Sequence, residues 1–174
     1  MTDEKTARPS TSLSSVLIVG GNGFLGKTIT SLLADRHPNC KISLLDLSPK
    51  STLDYPYHQG DITNLSSLLE IFQKIKPEVV IHTASPPIPT SGQGDEKLFF
   101  KVNVEGTRNI INACQETGVK ALIYTSSASV HYNGGNLINA NETAPYATKH
   151  VDPYNASKVI FIQTRLILRL KPTN

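Results

Sequence analysis

The sequence predicts an α/β protein built on a doubly wound, parallel sheet. Four short apolar runs alternate with longer helical patterns, and each run is apolar at successive positions, which is typical of strands buried on both faces. The first run leads directly into a cluster of glycines. A chain of 174 residues, 39% of them hydrophobic, is large enough for one core and too short for two full domains.

Each predicted element is bounded by residues that favour its ends. The predicted strands are brief aliphatic runs bounded by Gly, Pro or Asn, namely SVLIVG (15–20), KISLLDL (41–47), PEVVIHTA (77–84) and VKALIYTSS (119–127). The predicted helices lie between them, over Phe24–Arg36, Asn64–Lys76 and Glu96–Thr117, with Gly118 as a stop. The order β-α-β-α-β-α-β places helices on both faces of the sheet.

Composition and charge argue against several classes of function. The 17 basic and 14 acidic residues give a net charge of +3 and are scattered, so no nucleic-acid partner is indicated. Cys40 and Cys114 form no CxxC motif and have no nearby His, so neither a disulfide framework nor a metal site is predicted.

The two ends of the chain predict a tail and a helix. Residues 1–14 are polar and contain acids, unlike a signal or transit peptide, and we expect a flexible tail. The apolar run 159–170 contains Arg165 and Arg169 and is shorter than the roughly 20 apolar residues that span a bilayer. It is not predicted to cross a membrane, although contact with a membrane or a partner stays open.

The glycines after the first strand predict a phosphate-binding turn. Gly20, Gly23 and Gly26 lie at a strand-to-helix junction, with Phe24 and Leu25 opening the helix. Such a turn needs unusual backbone angles, lets a pyrophosphate approach the backbone, and presents the N–H groups of the helix N-terminus. A glycine-rich turn alone is weak evidence, because it is also found as a simple tight turn.

Acidic and polar residues at the next strand ends strengthen this prediction. Asp46 lies twenty residues after Gly26 (46 minus 26), where a carboxylate can accept hydrogen bonds from the adenosine ribose and repel a 2′-phosphate. NAD is therefore favoured over NADP, with Lys50 as a contrary signal. Asp61 and Ile62 follow Gly60, where they could contact the adenine, and His82 to Ser85, including Ala84, end the third predicted strand. By itself, His82 is more simply a packed histidine than a catalyst.

A second group of residues predicts a site for proton transfer. Tyr154 and Lys158 are four residues apart, a spacing that places a phenol and an ammonium on one helix face. Ser127 lies at the end of the fourth predicted strand, 27 residues before Tyr154. The alternative, a pair of surface residues on a helix, is less consistent with three strand-end motifs that converge on the same edge.

Together these stretches resemble one enzyme family. GGNGFLG, Asp46, YHQGDITN, VVIHTASPP, KVNVEGTRNIINAC, YTSSASV and YNASK occur in one order over residues 15–158. They resemble the extended short-chain dehydrogenase/reductases, within them the 3β-hydroxysteroid dehydrogenase family, and most of all the sterol-4α-carboxylate 3-dehydrogenases (decarboxylating). The resemblance implies a Rossmann-type NAD(P)-binding domain over 15–158 and oxidation of a 3β-hydroxysteroid, such as a 4α-carboxysterol, with decarboxylation.

The resemblance also implies roles for individual residues. Tyr154 would be the general acid or base, Lys158 would bind the nicotinamide ribose and make the phenol a stronger acid, and Ser127 would hydrogen-bond the substrate oxygen. Asn103 matches a family asparagine that supports the site, with a helix N-cap as the alternative. The cofactor site implied comprises Gly20, Gly23, Phe24, Leu25, Gly26, Asp46, Asp61, Ile62, Ala84, Asn103, Tyr154 and Lys158.

The chain departs from this family after Lys158. Residues 159–174 are apolar nearly all round and resemble the family poorly, so we expect an N-terminal fragment whose sheet is truncated before the substrate lobe, ending on an atypical apolar helix. Rival interpretations are a nucleotide-sugar epimerase, a dihydroflavonol-type reductase, or a non-catalytic nucleotide-binding module. The resemblance is compatible with a homodimer and with peripheral contact at the cytoplasmic side of the endoplasmic reticulum membrane.

Overall fold

A parallel five-stranded sheet forms the centre of the molecule. The computed structural model describes residues 13–88 and 94–165. The strands are β1 (Ser15–Val19), β2 (Lys41–Asp46), β3 (Tyr57–Gln59), β4 (Val79–His82) and β5 (Ala121–Tyr124), and their order in the sheet is β3-β2-β1-β4-β5. The chain therefore runs outward in one direction from β1 through β2 to β3, and in the other from β4 to β5. That reversal leaves a crevice at the carboxyl ends of β1 and β4, where ligands of such sheets bind.

Helices follow the strands along the chain. They are α1 (Phe24–Arg36), α2 (Leu65–Ile75), α3 (Glu96–Phe99), α4 (Thr107–Thr117) and α5 (Pro153–Arg165). Residues Phe100–Gly106 form a π-helical stretch between α3 and α4, and Ala128–His131 form a 3₁₀ turn after β5. No helix within the described ranges is long and apolar enough to cross a membrane.

Two apolar clusters cover the two faces of the sheet. One unites Leu17, Val19 and Leu45 with side chains of α2 and α4, such as Phe72 and Ile110. The other unites Val16, Ile18, Leu44 and Ile81 with Ile29 and Leu33 of α1. Because alternate residues of β1 belong to opposite clusters, the strand is buried on both faces, as its continuous apolar sequence predicts.

The predicted order of elements is confirmed with three additions. β3 was missed, and the predicted helix over Glu96–Thr117 contains the π-helical stretch, which sequence periodicity did not indicate. The helix predicted over Asn64–Lys76 runs from Leu65 to Ile75, with Asn64 and Lys76 as its two caps. The third addition is the 3₁₀ turn. Residues 1–12 of the predicted tail and residues 166–174 of the predicted apolar helix lie outside the described residues.

Candidate functional site

The glycine-rich turn brings the end of β1 against the end of β4. Gly20 has a φ of 84°, a left-handed conformation that favours glycine. A Cβ on Gly20 would lie 2.7 Å from the backbone nitrogen of Ala84, and a Cβ on Gly26 would lie 2.2 Å from the carbonyl oxygen of Gly20. A side chain at either position would therefore force the turn, the strand end and α1 apart.

The first turn of α1 presents its backbone N–H groups without a side-chain cap. Gly23 is the N-cap residue and, lacking a side chain, makes no side-chain cap hydrogen bond. No acidic residue lies in the first helical turn. The N-terminal N–H groups and the positive end of the helix dipole are thus suited to an anionic group.

A cleft of about 430 Å³ opens at this edge of the sheet. It is lined by the carboxyl ends of β1, β2 and β4, by the segment after β3, and by two side chains from the helical stretch that begins at Glu96. The lining includes the predicted residues Gly20, Gly23, Asp46, Asp61, Ile62 and Ala84.

Asp46 is held at the edge of this cleft by three hydrogen bonds. Its Oδ2 accepts from the backbone N–H of Asn22 at 3.0 Å, and its Oδ1 accepts from both the N–H and the hydroxyl of Ser48 at 3.1 Å. The Asn22 side chain also donates to the carbonyl oxygen of Lys50 at 2.8 Å. The glycine-rich turn and the loop after β2 therefore fix the carboxylate together.

The part of the cleft lined by Asp61 and Ile62, which the sequence predicts to contact the adenine, packs against the helical run that follows α3. Ile62 is buried, and its carbonyl oxygen accepts a hydrogen bond from the Asn109 side chain at 3.0 Å. Gly106 packs against Ile62 so closely that a Cβ there would lie 2.6 Å from Ile62 Cγ1. Asp61 is exposed, and its Oδ1 accepts from the N–H of Thr63 at 2.8 Å.

Tyr154 and Lys158 lie on successive turns of α5, as their spacing predicts. The Tyr154 ring packs edge-on against Phe99, with 5.9 Å between centroids, and the Lys158 Nζ lies 5.7 Å from the Tyr154 ring centroid. Lys158 is only 3% exposed. Its Nζ donates to the hydroxyl of Tyr124 at 3.0 Å and to the carbonyl oxygen of Thr125 at 3.2 Å.

Burial shifts the protonation of two groups at this end of the sheet. Removal from water disfavours a charged side chain, and it lowers the pKa of Lys158 to about 8. Burial, with the Lys158 charge as a smaller cause, lowers the pKa of His82 to about 3. His82 is fully buried on β4, so it is the packed, neutral histidine that the sequence indicated.

Asn103 supports the helix that carries the tyrosine and the lysine. It is buried in the π-helical stretch, and its Nδ2 donates to the hydroxyl of Ser157 at 2.9 Å. Thr107 donates to the Asn103 carbonyl oxygen at 2.7 Å. The alternative of a helix N-cap is wrong, because Asn103 lies inside the helical run and Asp95 is the residue that caps its start.

Ser127 lies between β5 and the 3₁₀ turn, and its hydroxyl oxygen accepts two hydrogen bonds. Its Oγ accepts hydrogen bonds from the N–H of Ser129 at 3.2 Å and from the Ser129 hydroxyl at 2.8 Å. Both bonds use the lone pairs of Ser127, so its own O–H hydrogen is available to donate. This arrangement suits a hydrogen bond to a substrate oxygen.

Phe24 and Leu25 lie at the start of α1 with exposed side chains. Phe24 is 90% exposed and Leu25 is 39% exposed. Their backbone position in the first helical turn matches the predicted phosphate end of the site, whereas their side chains make no part of the buried core. Gly26 is buried beneath them against the turn.

Several functional neighbours were missed by the sequence analysis. Leu98 and Val102 line the cleft, Tyr124 and Thr125 hold Lys158, and Asn155 anchors the start of α5. Asn155 is fully buried and donates to the carbonyl oxygens of Ser129 and Tyr132. Its place beside Tyr154 was a usable signal, whereas the contacts of Leu98 and Val102 depend on the path of the helix.

Comparison with known families decides which kind of protein carries this site. The model of the 3-beta hydroxysteroid dehydrogenase/isomerase family matches residues 17–167. The chain belongs to that family. The match spans both the glycine-rich turn and the tyrosine–lysine pair. It continues to residue 167, so the departure from the family that was expected directly after Lys158 is not seen up to that residue.

Individual relatives within the family are named as sterol dehydrogenases. The sterol-4-alpha-carboxylate 3-dehydrogenase (decarboxylating) of Schizosaccharomyces pombe is 42% identical over 154 residues, covering 85% of this chain and 44% of that protein. The human protein of the same name is 36% identical over 152 residues, covering 87% and 38% respectively. The chain therefore spans less than half the length of these relatives. The family is one of oxidoreductases that act on a CH–OH donor.

Solved structures of similar fold include nucleotide-sugar enzymes. The UDP-glucose 4-epimerase of Thermus thermophilus, solved in complex with NAD, has a TM-score of 0.77 and 26% identity, covering 88% of this chain and 50% of that one. WbmG of Bordetella bronchiseptica, also solved with NAD, has a TM-score of 0.79 at 22% identity, which shows the shared fold alone. The parallel sheet with flanking helices is thus a Rossmann-type fold.

Proposed function

We propose that the cleft binds NAD in preference to NADP. The turn at Gly20 and the uncapped start of α1 suit the pyrophosphate. Asp46 lines the same cleft at the end of β2 and supports the proposal, because a carboxylate there can accept hydrogen bonds from the adenosine ribose hydroxyls. A carboxylate fixed by three hydrogen bonds cannot swing away from a 2′-phosphate without losing them. When bound, NAD supplies the acceptor for a hydride.

The reaction we propose is the oxidation of a secondary alcohol. Tyr154 takes the proton of the hydroxyl, while the hydrogen on the same carbon leaves as a hydride. Lys158 holds the nicotinamide ribose and favours the ionised phenol through its charge, and Ser127 donates a hydrogen bond to the reacting oxygen. The observation that carries this assignment is the buried Lys158 Nζ, fixed at the end of β5 and 5.7 Å from the Tyr154 ring.

The substrate class we propose is a 3β-hydroxysterol with a carboxylate at C4. Its support is the 42% identity to the Schizosaccharomyces pombe sterol-4-alpha-carboxylate 3-dehydrogenase. Oxidation of the 3-hydroxyl yields a β-keto acid. The bond from C4 to the carboxylate carbon then breaks, its electron pair stays on C4 as an enolate, and a proton completes the ketone while CO₂ leaves.

An assay with a matched variant tests this proposal. We would join the chain to the remaining C-terminal part of the Schizosaccharomyces pombe relative and supply a 4α-carboxy-3β-hydroxysterol with NAD. The expected result is equal amounts of NADH and CO₂, abolished by Tyr154→Phe although that variant still binds NADH. We expect far slower turnover from the 174-residue chain alone. Epimerisation of a UDP-sugar without sterol oxidation would overturn the proposal.

A further inference from the structure

The ammonium of Lys158, on α5, is bound by residues at the end of β5. Two of the three N–H groups of its ammonium have acceptors on the β5 side, the Tyr124 hydroxyl at 3.0 Å and the Thr125 carbonyl oxygen at 3.2 Å. The Nζ also lies 4.8 Å from the centroid of the Tyr124 ring, within the range of a cation–π contact. Tyr124 therefore contacts the ammonium through both its hydroxyl and its ring.

The ring of Tyr124 is itself kept in place by the neighbouring strand. Tyr124 of β5 and His82 of β4 are register partners, and their rings lie 5.5 Å apart at 56°. His82 Nε2 lies 3.0 Å from the hydroxyl oxygen of Thr107. Because Thr107 gives its own hydrogen to the Asn103 carbonyl oxygen, the Nε2–H of His82 is the donor in that pair.

These contacts connect the sheet, α4 and α5. Thr107 orients the imidazole of His82, the imidazole packs against the phenol of Tyr124, and the phenol accepts from Lys158. The four elements that carry these groups, β4, α4, β5 and α5, are separated along the chain. A hydroxyl at position 124 thus meets Lys158 only because β5 lies beside β4 and α5 lies over their carboxyl ends.

We propose that Tyr124 is a positioning residue that directs the ammonium of Lys158, a role that rests on the proposed function of Lys158 at the nicotinamide ribose. With Tyr124 and Thr125 accepting two N–H groups, the third N–H has no acceptor among the described residues and can point at a ligand. The neighbouring titratable groups are His82 on β4, Tyr124 on β5 and Tyr154 on α5 itself. Of these, the hydroxyl of Tyr124 is a direct hydrogen-bond partner of the ammonium.

The test measures Lys158 in the 174-residue chain without any cofactor. Lysine labelled with ¹³C at Cε is titrated by NMR, and Lys158→Arg identifies the signal. Tyr124→Phe keeps the ring against His82 and removes only the hydroxyl. Because that hydroxyl stabilises the charged ammonium, we expect the Lys158 pKa to fall by about one further unit. Tyr132→Phe is the control, since its exposed side chain makes no hydrogen bond within the described residues, and it should leave the titration unchanged.

A second measurement covers the case in which Tyr124→Phe does not fold. In the otherwise unchanged chain labelled with 3-fluorotyrosine, the ¹⁹F signal of Tyr124 should shift with the same midpoint pH as Lys158, and the signal of Tyr132 should not. The inference would be overturned if Tyr124→Phe folds and the Lys158 pKa does not change. It would also be overturned if the ¹⁹F signal of Tyr124 does not shift as Lys158 titrates.

Binding of NADH separates this inference from the proposed function. We expect Tyr124→Phe to weaken NADH binding several-fold, while Tyr132→Phe does not. If the chain bound no NADH but the Lys158 pKa still moved, the proposed function would fail and the positioning role would stand. If NADH bound equally to both variants and the Lys158 pKa did not move, the positioning role would fail alone.

Discussion

Asp46 is the residue that, in the proposed function, determines the choice of cofactor. It receives hydrogen bonds from Asn22 and Ser48, so its carboxylate has one orientation at the cleft edge. Asp46→Ala should weaken NAD binding by about tenfold or more, since hydrogen bonds to a charged group contribute roughly 1.5–3 kcal/mol each. The same change should reduce the ratio of NAD affinity to NADP affinity.

Calorimetric titration with both cofactors checks this prediction. Asp54→Ala is the matched control, because Asp54 is exposed and lies outside the cleft lining. It removes the same charge and should leave both affinities unchanged. Equal loss of NAD affinity in the two variants would mean that overall charge, rather than the position of Asp46, determines binding.

His82 should make the protein sensitive to acid. Its folded-state pKa is lowered to about 3, whereas an unfolded histidine titrates near 6.5. Between these values the unfolded chain binds more protons, so stability is complete above about pH 6.5 and is lost as the pH falls toward 3. From pH 7 to about pH 4.5, His82 should account for roughly 3 kcal/mol of lost unfolding free energy.

Denaturant unfolding at several pH values measures this loss. His82→Gln retains an amide donor for Thr107 and cannot titrate, so its stability should fall less over the same range. His37→Gln, at the exposed end of α1, is the control and should follow the unmodified chain. Identical pH profiles for His82→Gln and the unmodified chain would contradict the burial of a neutral histidine.

At the scale of elements, the helical run from Glu96 to Thr117 connects Ile62, at the end of the cleft proposed for the adenine, to α5. Gly106 lets it approach Ile62, and Asn103 reaches Ser157. Gly106→Ala would place a methyl group 2.6 Å from Ile62 Cγ1. Such overpacking should destabilise the fold by about 1–3 kcal/mol and weaken cofactor binding at the adenine end.

Thermal unfolding and NADH titration of Gly106→Ala test that coupling. Glu105→Ala changes the adjacent, exposed residue of the same helical stretch and should alter neither stability nor affinity appreciably. If Gly106→Ala were as stable as the unmodified chain, Ile62 would be able to move aside without loss of stability. The close packing of Gly106 would then not determine the position of Ile62 in the cleft.

The sequence predicted the elements that carry their own signal and missed those that depend on tertiary contacts. β1, β2, β4 and β5 were predicted because continuous aliphatic runs favour strands buried on both faces. β3 has only three residues, and its mixed Tyr-His-Gln sequence shows no apolar pattern. The π-helical stretch was missed because its residues continue an ordinary helical pattern in the sequence.

The same distinction holds within the candidate site. The glycine-rich turn and Asp46 were predicted because a local strand–turn–helix pattern and a fixed spacing identify them. The bond from Lys158 to Tyr124 joins residues 34 apart and depends on how α5 lies over β5. Single-sequence patterns carry no information on that distance, so the partner of Lys158 had to come from the structure.

For the whole molecule, the outer edge of β5 in the described sheet should govern association. β5 is the last strand of the described sheet, and Ile123 on it is 54% exposed. An unpaired, apolar strand edge favours pairing with another chain. We expect the purified 174-residue chain to associate with increasing concentration, and Ile123→Lys to reduce this association.

Size-exclusion chromatography with light scattering measures the molar mass of the associated chain at several concentrations. Ile138→Lys is the control, because Ile138 is an isoleucine 78% exposed in the segment between β5 and α5 and belongs to no strand. Association that persists in Ile123→Lys and disappears in Ile138→Lys would place the contact on that segment instead of on β5.

Direct titration of the purified 174-residue chain with NADH and NADPH tests the central claim, that this chain forms a dinucleotide site which prefers NAD. The chain contains no tryptophan, so nicotinamide fluorescence can be followed without indole emission. We predict saturable NADH binding, NADPH binding weaker by about tenfold or more, loss of both in Gly26→Val, and no loss in Gly135→Val. Absence of NADH binding by the folded chain, or tighter binding of NADPH than of NADH, would contradict the account.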